Sequence, residues 1–337
     1  KDIYFLNNAA YIILFYLYFL IFMNFSTKIS IPEDYFMNVW DQYLLTGSCF
    51  SEHIGDYMSR CGLNAIQNPH GILFNPFSIF QSLNNALKKR YYNEETILQH
   101  NGLYFSWMHH SSVYDMTEKD LLRRINTDID AFNLHLKSAR TLIITWGSAH
   151  YYLNVDKNKI VSNCHKQPGQ LFEKKMAKVE DIVNQYSTFF NDLIREVPQI
   201  KVVMTISPVR YLKDGEVENQ RSKATLILAI EELCRDFPDS VKYFPSYEIF
   251  MDELRDYRFY GKDMVHPNEV GIEYVWKRMK ETYFSPEQRF ILTEAERIIQ
   301  LKNHRILIPE AESSLSFEKK RDNQISEFKA KYPYLNI

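Results

Sequence analysis

Five short apolar runs, at residues 42–46, 63–67, 140–146, 200–206 and 240–244, alternate with stretches of helical periodicity at 77–89, 117–138, 176–196 and 222–236. Strands separated by helices long enough to cover them predict an α/β fold with a parallel sheet. In such sheets ligands bind beyond the carboxyl ends of the strands. Ser48, Gly147 and Ser207 fall there. There is no internal repeat and no low-complexity linker.

The first of these strand ends carries Gly47-Ser48-Cys49-Phe50-Ser51. Tyr43-Leu44-Leu45 reads as the end of a strand. Phe50, Ile54, Tyr57, Met58 and Cys61 then follow at helical spacing, with Gly62 as the expected C-terminal stop. A serine at that junction stands where free N–H groups and the helix dipole stabilise an anion, either an attacking alkoxide or the oxyanion that follows. Gly47 lets the turn be tight. Two roles are open for Ser48 from this segment alone: a nucleophile, or an ordinary helix N-cap. Cys49 is a rival nucleophile, because a thiolate at a helix N-terminus is stabilised. With the helix beginning here, Cys49 points into its first turn and Ser48 stands at the open edge, which favours the serine.

A second segment changes the balance. Asp263-Met264-Val265-His266 follows a break at Gly261-Lys262, and Pro267-Asn268-Glu269 opens a new helical pattern through Val270, Tyr274, Val275 and Met279. His266 is thus expected at a loop–helix junction. At that spacing Asp263 can bond one imidazole nitrogen while the other faces Ser48, fixing the tautomer and stabilising the imidazolium.

Composition narrows the class. The balance of 40 basic against 42 acidic residues argues against a nucleic-acid surface and against an electrostatic membrane patch. The four cysteines, at 49, 61, 164 and 234, have no paired spacing and read as reduced thiols, consistent with a cytoplasmic protein. Only 10 glycines occur, against a usual share of about 7%. In a chain so poor in glycine, those at turn positions, such as Gly47, Gly71 and Gly147, are expected to meet a backbone need. The 23 Tyr and 23 Phe offer sugar-stacking surfaces, although most must be core.

Several ordered segments resemble those of the GSCFA family, grouped with the SGNH (GDSL-type) hydrolases. They are TGSCFSEHIG at 46–55, NPHGILFNPFSI at 68–79, WMHHSS at 107–112, TWGSAHYY at 145–152, NCHKQPGQLF at 163–172, TISPVRYLKDG at 205–215, and YFPSYEI with DELRDYRFYGKDMVHP up to 267. The resemblance covers roughly residues 24–290. It implies a three-layer α/β/α sandwich with a mostly parallel, flavodoxin-like sheet, and no cofactor. It also implies Ser48 as nucleophile with His266 and Asp263 completing a triad, in an esterase acting on small acyl esters, acetyl above all, of a carbohydrate or glycan. An O-acyltransferase and a non-catalytic carbohydrate- or acyl-binding domain are the alternatives on the same fold.

The chain departs from the superfamily pattern in two places. Cys49 stands where aspartate usually follows the serine, and Trp146-Gly147-Ser148-Ala149 replaces the usual Gly-x-Asn-Asp loop. The side-chain oxyanion donor is therefore expected at Asn75 or Asn163, with the backbone N–H groups of Ser48 and Gly71 beside it. Gly147, His110 and His165 are further expected contacts of the site. A plainer reading makes His110 part of a solvated pair with His109, and Asn163 to Pro168 a polar turn. A metal site of His109, His110, His150 and His165 has no supporting spacing.

Three regions are expected along the chain. Residues 1–23 are a hydrophobic segment within which the apolar run 9–25 begins, either a membrane anchor or an extension foreign to the folded protein. Residues 24–284 form the hydrolase-like domain. Residues 285–337 are a charged helical extension, with helices expected from Pro286 and near 311–331, packing on the domain edge or on a partner.

Overall fold

The apolar runs lie side by side in one parallel sheet. A computed structural model describes residues 27–304 and 312–337. Its main strands are β1 (Gln42–Gly47), β2 (Asn64–Gln67), β6 (Thr141–Trp146), β10 (Lys201–Ile206) and β11 (Val241–Phe244), in the order β11-β10-β6-β1-β2. All four pairings are parallel, and β1 meets β6 from Tyr43 opposite Thr141 to Gly47 opposite Thr145. The hydrophobic stretch at 9–25 lies outside the described residues. No helix among the described residues is long and apolar enough to cross a membrane.

Because side chains alternate across a strand, these runs are buried on both faces. Leu44, Leu142, Ile144, Val202 and Met204 face one core, with α2 (Pro76–Lys88), α3 (Glu118–Ser138), α4 (Val179–Glu196) and α5 (Glu216–Asp236). Tyr43, Leu45, Ile143, Val203 and Phe244 face the other, with α1 (Cys49–Arg60), α6 (Glu269–Tyr283) and α7 (Pro286–Asn303). Helices on both sides of a parallel sheet make a three-layer α/β/α sandwich. Leu335, beyond α8 (Glu312–Lys331), joins the second core, and the Asn336 N–H donates to Gly62 O at 2.8 Å.

Two features depart from the sequence expectation. The first is a pair of three-stranded antiparallel sheets. One is made by β3 (Ile97–His100), β4 (Leu103–Ser106) and β5 (Tyr114–Asp115), the other by β7 (His150–Asn154), β8 (Lys159–Val161) and β9 (Phe172–Met176). Asn101-Gly102 joins β3 to β4 with both residues at positive φ, 48° and 77°. That dipeptide is a strong hairpin signal, but its flanking strands are only four residues long and carry little alternation. The second is the start of α5, at Glu216 rather than 222. Asn219, Ser222 and Lys223 form the buried face of its first turns. A polar buried face does not register as helical periodicity in apolar residues.

Candidate active site

The strand order places β1 and β6 together at the point where the winding of the sheet reverses, the usual ligand crevice of this architecture. Ser48 follows β1 there and Gly147 follows β6. Gly47 has φ +133°, and a Cβ on it would lie 2.1 Å from Thr145 O, so the turn admits only glycine. Its N–H donates to Asn68 Oδ1 at 2.9 Å, and its carbonyl accepts from Leu73 N–H at 2.9 Å. Asn68 thereby holds the turn from the next loop. It opens the segment 68–79, but nothing in its neighbours signals this role.

Ser48 is the N-cap of α1: its Oγ accepts from the Phe50 N–H at 3.3 Å, and the side chain is buried, at 1% exposure. The thiol of Cys49 is pushed up by burial, and the Glu52 charge adds to this. Burial thus works against the stabilised thiolate considered from sequence.

The histidine loop is held by its own hydrogen bonds. His266 Nδ1 and Asp263 Oδ2 are 2.6 Å apart, and Asp263 Oδ1 accepts the N–H groups of Val265 and His266, each at 3.0 Å. The His266 N–H, then that of Val265, then the imidazole hold the Asp263 carboxyl down at about 2. The Gly261 N–H donates to His266 O at 2.7 Å, and Asn268 caps α6 through the Gly271 N–H. Both side chains of the pair are about half exposed, at 52% and 53%. Among the described residues His266 Nε2 has no hydrogen-bond partner, and no hydrogen bond joins His266 to Ser48. A cleft of about 400 Å³, lined by Arg210, Tyr257, Tyr260 and residues 263–265, opens beside this loop.

Most of the expected oxyanion donors are already engaged. The Ser48 N–H donates to Thr145 O, the Gly71 N–H to Asn68 O, and the Gly147 N–H to Phe74 O, at 3.1, 2.8 and 2.8 Å. Asn75 is the N-cap of α2, with its Oδ1 accepting from Ser78 N–H and its Nδ2 donating to Ser78 Oγ. Asn163 is the exception: its Oδ1 accepts from His165 N–H, while its Nδ2, the group that could donate, has no hydrogen-bond partner among the described residues. The backbone N–H of Cys49, at the open first turn of α1, makes no hydrogen bond among the described residues. It is one of the free N–H groups that the sequence leads one to expect at the start of this helix.

The histidines separate into core and surface groups. His165, expected to contact substrate, is instead buried against Phe105, with ring centroids 5.0 Å apart, and its Nε2 bonds Ser106 O at 2.8 Å. His109 Nδ1 bonds Ser106 Oγ in the same core, and burial pushes neighbouring His70 down to about 4. His110 packs over Gly71, and its Nδ1 bonds Ser112 Oγ. Among the described residues no three His, Cys, Asp or Glu side chains are arranged to hold a metal ion.

Nothing in the sequence warns of Lys223 either. It is fully buried, and its Nζ donates to Gly147 O and Ser207 O, each at 2.7 Å, across the ends of β6 and β10. Burial pushes its pKa down to about 7. Ser222 Oγ accepts the Ala149 N–H at 2.7 Å, so α5 fixes the whole Gly147 loop from below.

By sheet order and layering this is an α/β/α protein with its candidate site at the switch point. The GSCFA family model matches residues 42–279, spanning the whole parallel sheet and both Ser48 and His266, and the chain belongs to that family. No curated protein matches the sequence. Among solved structures it is similar to an acetyl xylan esterase, Est2A, from the rumen bacterium Butyrivibrio proteoclasticus. The two share 10% identity at a TM-score of 0.37, over 75% of this chain and 64% of that one. This chain therefore spans less than two thirds of that protein's length.

Proposed function

We propose that the protein is a serine-dependent ester hydrolase of the SGNH type, acting on small acyl esters of a carbohydrate or glycan. The observation that carries this reading is the His266–Asp263 pair, 2.6 Å apart, with the second carboxylate oxygen locked by two backbone N–H groups. That arrangement fixes the imidazole tautomer and leaves Nε2 as the base. His266 takes the proton of Ser48 Oγ, which attacks the ester carbonyl. The oxyanion is met by the first turn of α1, where the Cys49 N–H is unengaged. The alcohol leaves with the proton from His266, and water, activated by the same imidazole, clears the acyl-serine.

A second reading, a non-catalytic carbohydrate- or acyl-binding domain, is favoured by one observation: Ser48 is buried and is not bonded to His266. Labelling with a fluorophosphonate probe and turnover of 4-nitrophenyl acetate separate the two. The hydrolase reading expects both to vanish in Ser48→Ala and to persist in Cys49→Ala, with kcat/KM within about threefold of the parent, since the thiol is the disfavoured nucleophile. Absence of labelling in every form would hand the site to the binding reading.

A further inference from the structure

We propose that the cleft beside the His266 loop is a carboxylate-binding subsite built on Arg210, so that the ester processed at Ser48 carries a carboxylate group. This rests on the hydrolase reading above. Arg210, Glu216, Phe250, Tyr257, Tyr260 and Asp263 are among the residues lining the cleft.

The cations around it differ in one respect. Arg255 is paired with Asp252 at 2.5 Å and Arg258 with Asp256 at 2.8 Å. Arg210 makes no ion pair and no hydrogen bond among the described residues, and its Nε is buried without a partner. Its Nε is withdrawn from water with nothing to bond, which is costly, and an arriving anion could accept from it. Its positive charge reaches the hydroxyls of Tyr247 and Tyr260, where it opposes the upward push of burial. Arg210 lies in the segment TISPVRYLKDG, which neither the triad nor the oxyanion site uses.

The surroundings select the kind of anion. Asp256 and Asp263 line the same cleft but are held by Arg258 and His266, and Glu216 adds a third negative charge. A phosphate dianion would be repelled by all three. A planar monoanionic carboxylate meets less repulsion and matches the fork of the guanidinium. Tyr257, 73% exposed, and Tyr260, with its ring centroid 5.9 Å away, offer an aromatic wall for the rest of the molecule. The carboxylate has two possible sources: a uronic acid on the alcohol side of the ester, or a dicarboxylic acyl group.

Binding is measured first, by calorimetry on the Ser48→Ala protein with glucuronate, succinate, glucose and acetamide. Glucuronate or succinate should bind at least tenfold more tightly than its neutral counterpart. That preference should be lost in Ser48→Ala/Arg210→Gln and partly kept with Arg210→Lys. The carboxylate that binds identifies the side of the ester. Equal binding of charged and neutral probes by the parent overturns the subsite without recourse to any variant. Turnover is measured second, as the ratio of kcat/KM for mono-4-nitrophenyl succinate and for an acetylated methyl glucuronoside to that for 4-nitrophenyl acetate. Arg210→Gln should lower one of these ratios at least tenfold, and an unchanged pair of ratios overturns the subsite while the hydrolase stands. Arg210-dependent carboxylate binding with no turnover of any ester would instead remove the hydrolase reading and keep the subsite.

Discussion

The two halves of the candidate site are built in opposite ways. The serine turn is sunk in the sheet: Gly47 touches the backbone of Thr145, Ser48 is buried, and Asn68 and Leu73 hold the turn from a neighbouring loop. The histidine loop stands half in solvent and is organised by short-range bonds among Gly261, Asp263, Val265, His266 and Asn268. In the first half geometry is fixed by packing, so substitutions of the residues that hold the turn around Ser48 act on stability. In the second it is fixed by a few local hydrogen bonds, and substitutions should act on chemistry while the fold is indifferent.

The largest effect that would break this contrast lies in the exposed half. Asp263→Asn keeps an oxygen for the two N–H groups but favours the wrong imidazole tautomer. It should lower kcat by about 10⁴, equivalent to about 5.5 kcal/mol of barrier. Stability in urea should fall only by the modest share that an exposed carboxylate charge contributes, well below the loss for Gly47→Ala. A large loss of stability here would show that the loop carries part of the fold.

The converse substitution is Gly47→Ala. A Cβ 2.1 Å from Thr145 O, on a backbone at φ +133°, forces β1 and β6 apart. Urea unfolding should report a loss on the order of 3 kcal/mol. A loss under about 0.5 kcal/mol would mean that the turn has room for a side chain after all.

The effect that is smallest per step of the variable sharpens the comparison through pH. Lys223 in the folded protein has its pKa lowered to about 7 by burial, while the unfolded chain keeps the ordinary value of 10.5. Below pH 7 both states hold the proton, and this residue adds no pH dependence. Between about 7 and 10.5 only the unfolded chain holds it, so stability rises with pH, by at most about 1.4 kcal/mol per unit. Lys223→Met should erase that rise in urea titrations taken at pH 7, 8 and 9. Asp263 has the opposite sign. Its folded pKa of about 2 lies below the ordinary 3.8, so its contribution is present above pH 4 and fades as pH falls toward 2. Amide exchange at Val265 and His266 across that window would follow it.

The same contrast decides what can be read from the sequence. All five strands of the parallel sheet are legible, because strands buried on both faces are nearly unbroken apolar runs. The placing of Ser48 at a strand-to-helix turn and the pairing of Asp263 with His266 are legible because glycine and proline punctuate their loops. Which of the expected oxyanion donors are free is not. Whether an N–H is free depends on which carbonyl it meets, and Thr145, Phe74 and Asn68 meet those of Ser48, Gly147 and Gly71 only after folding. His165 looks like a surface ligand in a polar turn, yet Phe105 and Trp107 enclose it. Lys223 and Asn219 carry no apolar signal, yet they face inward and bond loop backbone: Lys223 Nζ to two carbonyls, Asn219 Oδ1 to the Tyr211 N–H. Polar residues that serve loop backbone leave no periodic trace.

The position of β1 inside the sheet has a consequence for the order of assembly. Its partners are β2, close by in the chain, and β6, reached only after α2, the first small sheet and α3 have been made. The serine turn therefore cannot close until β6 is available, and His266 is synthesised later still, after the last strand. A chain growing from its N-terminus would pass through a stage with the Ser48 turn in place and the Asp263–His266 loop not yet made. The candidate site would be complete only near the end of synthesis, when α6 docks and brings its loop to the sheet.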